Sequence, residues 1–367
     1  MSWPDQRRPA PPRRTLGTDL LQAVQAQDFG RTPDGWHGGV PLVHFPSIDL
    51  AVAAFPPGTA PRCANVLFSR QHPLGVVAEI GPRGSALRNV RFDRDLQDAK
   101  GNSIAWQVGR NWGHLPWQPL IDRPAGAGTL RFVAPYPASL LKLMVAVGLG
   151  MALDRALISA WPAELEPMIV VSDNDATTAC VALLHRLGLV DVLNQRLAAL
   201  DLATLQLNDT KPDGGWRNAD GAGVGHIHMT AWDTVRLLWL LDAQAPPAPW
   251  LAAAPPEEAV LLSEASCAHL HGVLRRQQLD HVLSSGAIRN LPGWVSGLPD
   301  APAFAHKTGN TDNYASDAGI VQTARTHYIV AVLTTLGRRY APHVDAATVW
   351  GLPALGAAVH RLMEGLK

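Results

Sequence analysis

The apolar positions change their spacing along the chain, and each change marks a different kind of element. Residues 16–28 repeat with helical spacing and predict a short helix. Three short β-type runs follow at residues 50–55, 65–69 and 74–80, each bounded by Pro, Gly or Ser. Residues 88–97 and 103–108 flank the turn-rich spacer Asp98-Ala99-Lys100-Gly101-Asn102, a pattern that predicts a hairpin. From Ser139 onward, Leu140, Leu141, Leu143, Met144, Val147 and Met151 make a helix apolar on nearly every side, which is how a buried central helix reads. A second helical tract spans residues 175–200 with a break at Gly188, and a third spans 229–243. Between them, residues 208–228 form a polar, Gly-rich stretch of 21 residues, long enough for a functional loop. Residues 319–323 and 327–335 then read as paired strands across Ala324-Arg325-Thr326, and residues 344–366 close the chain with helical character. Strands, a helical middle, then strands and a last helix predict an α+β fold in which one sheet is split in sequence.

Composition narrows the function classes. With 367 residues and 47% hydrophobic content, the chain can bury a large core. Lys and Arg number 31 against 31 Asp and Glu, so there is no global basic field for nucleic acid or an anionic membrane, and the expected partner is a small molecule. Cys63, Cys180 and Cys267 lack paired spacing and read as reduced core thiols. The first 17 residues are basic and Pro-rich, and no continuous apolar stretch follows them, which points to a soluble, cytoplasmic protein. His226 and His228 alternate as strand ligands would, but no third ligand is evident. Neither a metal nor another cofactor is expected.

The candidate chemistry lies in three short motifs, which occur in the order Ser139-Leu140-Leu141-Lys142, Ser172-Asp173-Asn174 and Lys307-Thr308-Gly309. A serine hydroxyl is a weak nucleophile until a base takes its proton, and helical i to i+3 spacing sets Ser139 and Lys142 on one face within hydrogen-bond reach. An apolar helix around Lys142 and a neighbouring Lys307 would both disfavour an ammonium there. Ser172 offers a hydroxyl able to relay a proton, and Asn174 offers an amide for a substrate carbonyl. Lys307 and Thr308 suit a substrate carboxylate. The backbone N–H groups of Ser139 and Asn310 are candidate oxyanion donors. His306 is read as lining the site, and Trp216 and Trp294 as core residues or pocket walls.

These motifs, in this order, resemble those of the serine β-lactamase and penicillin-binding protein superfamily over about residues 130–367. The resemblance implies a five-stranded antiparallel sheet flanked by helices with an inserted all-helical subdomain. On that reading residues 1–85 are a mainly β N-terminal extension, either a small domain or added strands, and residues 86–367 are the hydrolase domain. It also implies a serine hydrolase that acylates Ser139 with a lactam, amide or ester. The family's loop glutamate, which activates the deacylating water, has no counterpart: the best match places Thr204 there, followed by Leu207 and Asn208, with Asp209 as the neighbouring carboxylate. Two alternatives therefore stand beside a β-lactamase: a penicillin-binding protein that acylates without efficient turnover, and an esterase or amidase acting on a cytoplasmic metabolite.

Overall fold

The structure, a computed structural model, describes residues 15–93, 129–216, 227–288, 291, 293–296, 302–340 and 351–366. The strands are β1 Ile48–Ala54, β2 Arg62–Phe68, β3 Val76–Val77, β4 Val90–Asp93, β5 Leu130–Val133, β6 Gln206–Leu207, β7 Ile227–His228, β8 Ala303–Asn310, β9 Ala315–Gln322 and β10 His327–Thr334. The helices are α1 Leu16–Gln25, α2 Lys142–Asp154, α3 Leu165–Val170, α4 Asn174–Arg186, α5 Leu189–Ala199, α6 Ala231–Leu241, α7 Pro256–Ala259, α8 Glu264–Leu274 and α9 Gly351–Glu364.

The main sheet is antiparallel and runs β3-β2-β1-β10-β9-β8. It has six strands where five were expected. The sixth is β3, two residues paired to Val66 and Leu67 at the outer edge, all that survives of the run expected at residues 74–80. Of the two readings of the first 85 residues, the sheet takes the second: β1 and β2 are its central and near-edge strands. Every residue of β1 is buried, Asp49 included, as the apolar run from Leu50 to Ala54 requires of a strand covered on both faces. The pairing of Ile48 with Thr334 through Ala54 with Tyr328 joins the two ends of the chain into one sheet. Strands from both sides of residue 85 thus share one sheet.

Strand parity assigns the helices to faces. Asp49 on β1 accepts the Ala231 N–H at the start of α6, so its face is the α6 face. Asp49 pairs with Leu333, so Tyr328, five residues away on β10, points to the opposite face, where its hydroxyl bonds His360 of α9. The same parity carried across β9 puts Lys307 on the α6 face and His306 on the α9 face.

The inserted helices pack around α2, which is buried from Lys142 to Ala152. The tract predicted for residues 175–200 is α4 and α5, bent by 88° across the break at Gly188. The hairpin predicted for residues 88–108 falls largely outside the described residues. Its described start, β4, pairs in parallel with β5. Among the described residues, no single helix is long and apolar enough to cross a membrane.

Candidate active site

The chain enters the site from β5 through Ala134-Pro135-Tyr136-Pro137 and forms one 3-10 turn, Ala138–Leu141, before α2 begins at Lys142. In a 3-10 turn residues i and i+3 eclipse, so Ser139 and Lys142 share a face as their spacing predicted. Ala138 has φ 51°, a left-handed conformation that a residue with a Cβ adopts only when its surroundings force it. Here the force is close packing. The Pro137 carbonyl accepts from the Leu140 N–H and the Ser316 hydroxyl, and a Cβ on Gly309 would fall on that same carbonyl and on the Leu140 amide. Glycine in the third motif is thus what lets β8 lie against the turn that carries Ser139.

Ser172 is the meeting point of all three motifs. Its Oγ lies 3.0 Å from Lys142 Nζ and 3.1 Å from Lys307 Nζ. Lys142 also donates to the Ser172 carbonyl at 2.7 Å, the Asp173 carbonyl at 3.3 Å and Asn174 Oδ1 at 3.0 Å. These contacts replace the Ser139–Lys142 hydrogen bond expected from the spacing: among the described residues the Ser139 hydroxyl makes no hydrogen bond. Lys142 turns away because the carbonyl, hydroxyl and amide oxygens at the start of α4 give its buried amine more acceptors than one hydroxyl can. Asp173 caps α4 by accepting from Ala176 N–H at 2.7 Å, so the motif is a helix cap as well as a site element. Asn174 is exposed, and with Oδ1 held by Lys142 its amide NH2 is the group presented outward.

Lys307 is fully buried and also donates to the Thr308 carbonyl at 2.7 Å. Burial lowers its proton affinity well below the usual lysine value, the charge of Lys142 lowers it further, and Asp317 opposes both. Its other partner is the Ser172 hydroxyl. At the end of β8, Thr311 N–H donates to the Tyr314 carbonyl, and strand alternation then aims the Asn310 N–H away from β9, off the free edge of the sheet.

The loop residues singled out in the sequence do not join this cluster. Thr204 is held elsewhere: its N–H and hydroxyl both bond Asp233, and the hydroxyl also meets Thr230 at 2.7 Å. Asn208 accepts from Asn194 and donates to Gln206. Asp209 lies with His185 and Asp191 around a cleft at the far end of α4, about 16 Å along the helix from Asn174. From there the chain runs back along α4. Thr210 bonds His185, Gly214 lies so close to the Thr178 carbonyl that a Cβ there would collide with it, and Trp216 places its ring centroid 5.7 Å from Lys142 Nζ. Trp216 is therefore what the described loop delivers to the site. The Gly-rich length was the sequence signal for that path, and Trp216, read there as core or pocket wall, is the residue that arrives, although its contact with Lys142 was not legible.

His306 does not line the site. It points to the α9 face, where Nδ1 bonds Asp317 at 2.8 Å and Nε2 bonds Asp280 at 2.7 Å. Although burial works against its charge, the two carboxylates raise its pKa to about 9. Trp294 packs on Phe304 and His360 on that face and belongs to the core. His228 bonds the Thr204 carbonyl, and His226 lies outside the described residues.

Residues 163–349, just over half of the chain, match the model of the beta-lactamase enzyme family. The chain belongs to the beta-lactamase enzyme family. Solved structures agree at the level of fold. A PBP-A variant in acyl-enzyme complex with penicillin G superposes with a TM-score of 0.53 at 16% identity, covering 97% of this chain and 100% of that one. A beta-lactamase from Sphaerobacter thermophilus DSM 20745 gives 0.52 at 13% identity, covering 95% and 98%. A representative class A beta-lactamase from Bacteroides cellulosilyticus DSM 14838 gives 0.51 at 14% identity, covering 96% and 100%. No curated protein matches the sequence. The family match starts at residue 163, after Ser139 and Lys142, so those two positions rest on their own motif and geometry.

Proposed function

We propose that this beta-lactamase family member is a serine acyl-transfer enzyme that acylates Ser139 with a small lactam, amide or ester bearing a carboxylate. One observation carries the reading: a single hydroxyl, Ser172 Oγ, lies 3.0 and 3.1 Å from two buried lysine amines. Burial and the neighbouring charge of Lys142 lower the proton affinity of Lys307, so the site disfavours two ammonium groups side by side. A proton-deficient pair is what a base needs. In this scheme Ser139 Oγ attacks the carbonyl carbon and its proton passes to Lys142, whose Nζ leaves its oxygen partners at the start of α4 to take it. The N–H groups of Ser139 and Asn310 hold the oxyanion. As the bond to the leaving group breaks, Ser172 gives it a proton and recovers one from Lys142. Lys307 fixes Ser172 and supplies positive potential for the carboxylate.

The test is intact-protein mass spectrometry after mixing with benzylpenicillin, alongside turnover of a chromogenic cephalosporin and a p-nitrophenyl ester. An adduct that disappears in Ser139→Ala supports the reading, and the relative turnover of cephalosporin and ester separates a lactamase from an esterase. Failure of all three reagents to acylate or turn over would sink it. A second reading, acylation with slow release, is favoured by the position of Thr204, whose hydroxyl is committed to Asp233 and Thr230 and away from Lys142.

A further inference from the structure

Lys142 is fully buried although its motif neighbour Ser139 is only half-buried. On one side its ammonium meets the oxygens of Ser172, Asp173 and Asn174. On another it meets the ring of Trp216, itself 5% exposed. The ring is held there by the loop's path along α4, pinned by the Thr210–His185 bond and by the close approach of Gly214 to Thr178. An indole fills a volume that would otherwise hold several waters of about 30 Å³ each, and a vacated space bordered by an ammonium and an amide oxygen is polar enough to hydrate.

We propose that Trp216 is a positioning residue that keeps water from the Lys142 flank of the site and thereby sets the lifetime of the acyl-enzyme. The inference rests on the acyl-transfer reading and deepens it. Hydrolysis of the adduct needs a water that attacks the ester carbonyl and gives its proton to a nearby base. The Ser139 Oγ–acyl bond then breaks, the acid leaves, and Ser139 regains its proton. Formation of the adduct needs no water. Removing the ring should therefore speed the second step, and restoring a ring should slow it again, a reversal that a loss of general stability would not produce.

The experiment follows benzylpenicillin adducts on the full chain by intact mass, measuring the rate of adduct formation and its decay after removal of free ligand. Trp216→Ala should shorten adduct lifetime at least tenfold, whatever the change in the rate of formation. Trp216→Phe, which restores a ring, should return the lifetime to within about threefold of the original. An unchanged lifetime in Trp216→Ala, or a lifetime in Trp216→Phe as short as in Trp216→Ala, overturns this inference alone. Absence of any adduct on the unmodified chain and on both variants overturns the acyl-transfer reading together with it.

Discussion

Ser172 stands on left-handed backbone, φ 58°, a conformation that costs a side chain with a Cβ about 1–2 kcal/mol. The cost is met by its position: from there one hydroxyl reaches lysines contributed by α2 and β8. Replacing Lys142 by Ala should lower the rate of Ser139 acylation by about 10²–10⁴-fold, the range for loss of a positioned base, with the fold retained by circular dichroism. Ser172→Ala should slow acylation by amide-like donors more than by activated esters, whose leaving groups need no proton. Comparing one lactam with one p-nitrophenyl ester reads that difference. Behind the site, His306 bound between Asp280 and Asp317 gives a pH signature in stability. Its pKa rises from an ordinary 6.5 to about 9, so the clamp contributes fully below about pH 6.5 and its contribution is lost as pH rises through about 9. The shift corresponds to roughly 3 kcal/mol. Chemical denaturation from pH 6 to 10 should show this decline, and His306→Gln should be less stable at pH 6 with the decline flattened.

At the scale of elements, the site depends on how closely β8 lies against the turn before α2 and on the path of one loop. Thr204 separates the loop's two possible duties. With its hydroxyl bonded to Asp233 and Thr230, Thr204→Val should cost about 1–3 kcal/mol of stability and leave adduct formation and decay per folded molecule unchanged. A change in decay rate equal to that of a lost general base would instead place the loop in the reaction. The motif serines and lysines were legible because each obeys a local rule: i to i+3 spacing, a helix cap, strand alternation. Trp216 was legible only as a core residue or pocket wall and not as a partner of Lys142, since nothing within residues 208–216 specifies that the loop doubles back along α4. That path depends on His185 and Thr178, about 25 and 36 residues earlier than their partners Thr210 and Gly214. The same limit applies to His306. Its neighbour Lys307 marks a motif, but only pairing across β9 shows that the two side chains leave opposite faces of the sheet.

For the whole molecule, the sheet closes between chain ends that are nearly 280 residues apart, through the seven pairs that join β1 to β10. A fragment of residues 86–367 lacks β1, so β10 would expose an unpaired apolar edge of the kind that drives aggregation. That fragment alone should be insoluble or lack cooperative unfolding, and co-expression with residues 1–85 should recover soluble complex. Independent folding of residues 86–367 would show that the first strands are dispensable after all. The sequence by itself determined the element types, the split sheet, the buried central helix and the identity of the motif residues, because local periodicity and short spacings encode these. Only the tertiary structure decided that the first three strands belong to the same sheet, that Lys142 turns to Ser172 and not to Ser139, that Thr204, Asn208 and Asp209 stand apart, and that Trp216 covers the lysine. Those outcomes depend on contacts between residues distant in the chain, where burial and competing hydrogen-bond partners, not spacing, choose each side chain's neighbour.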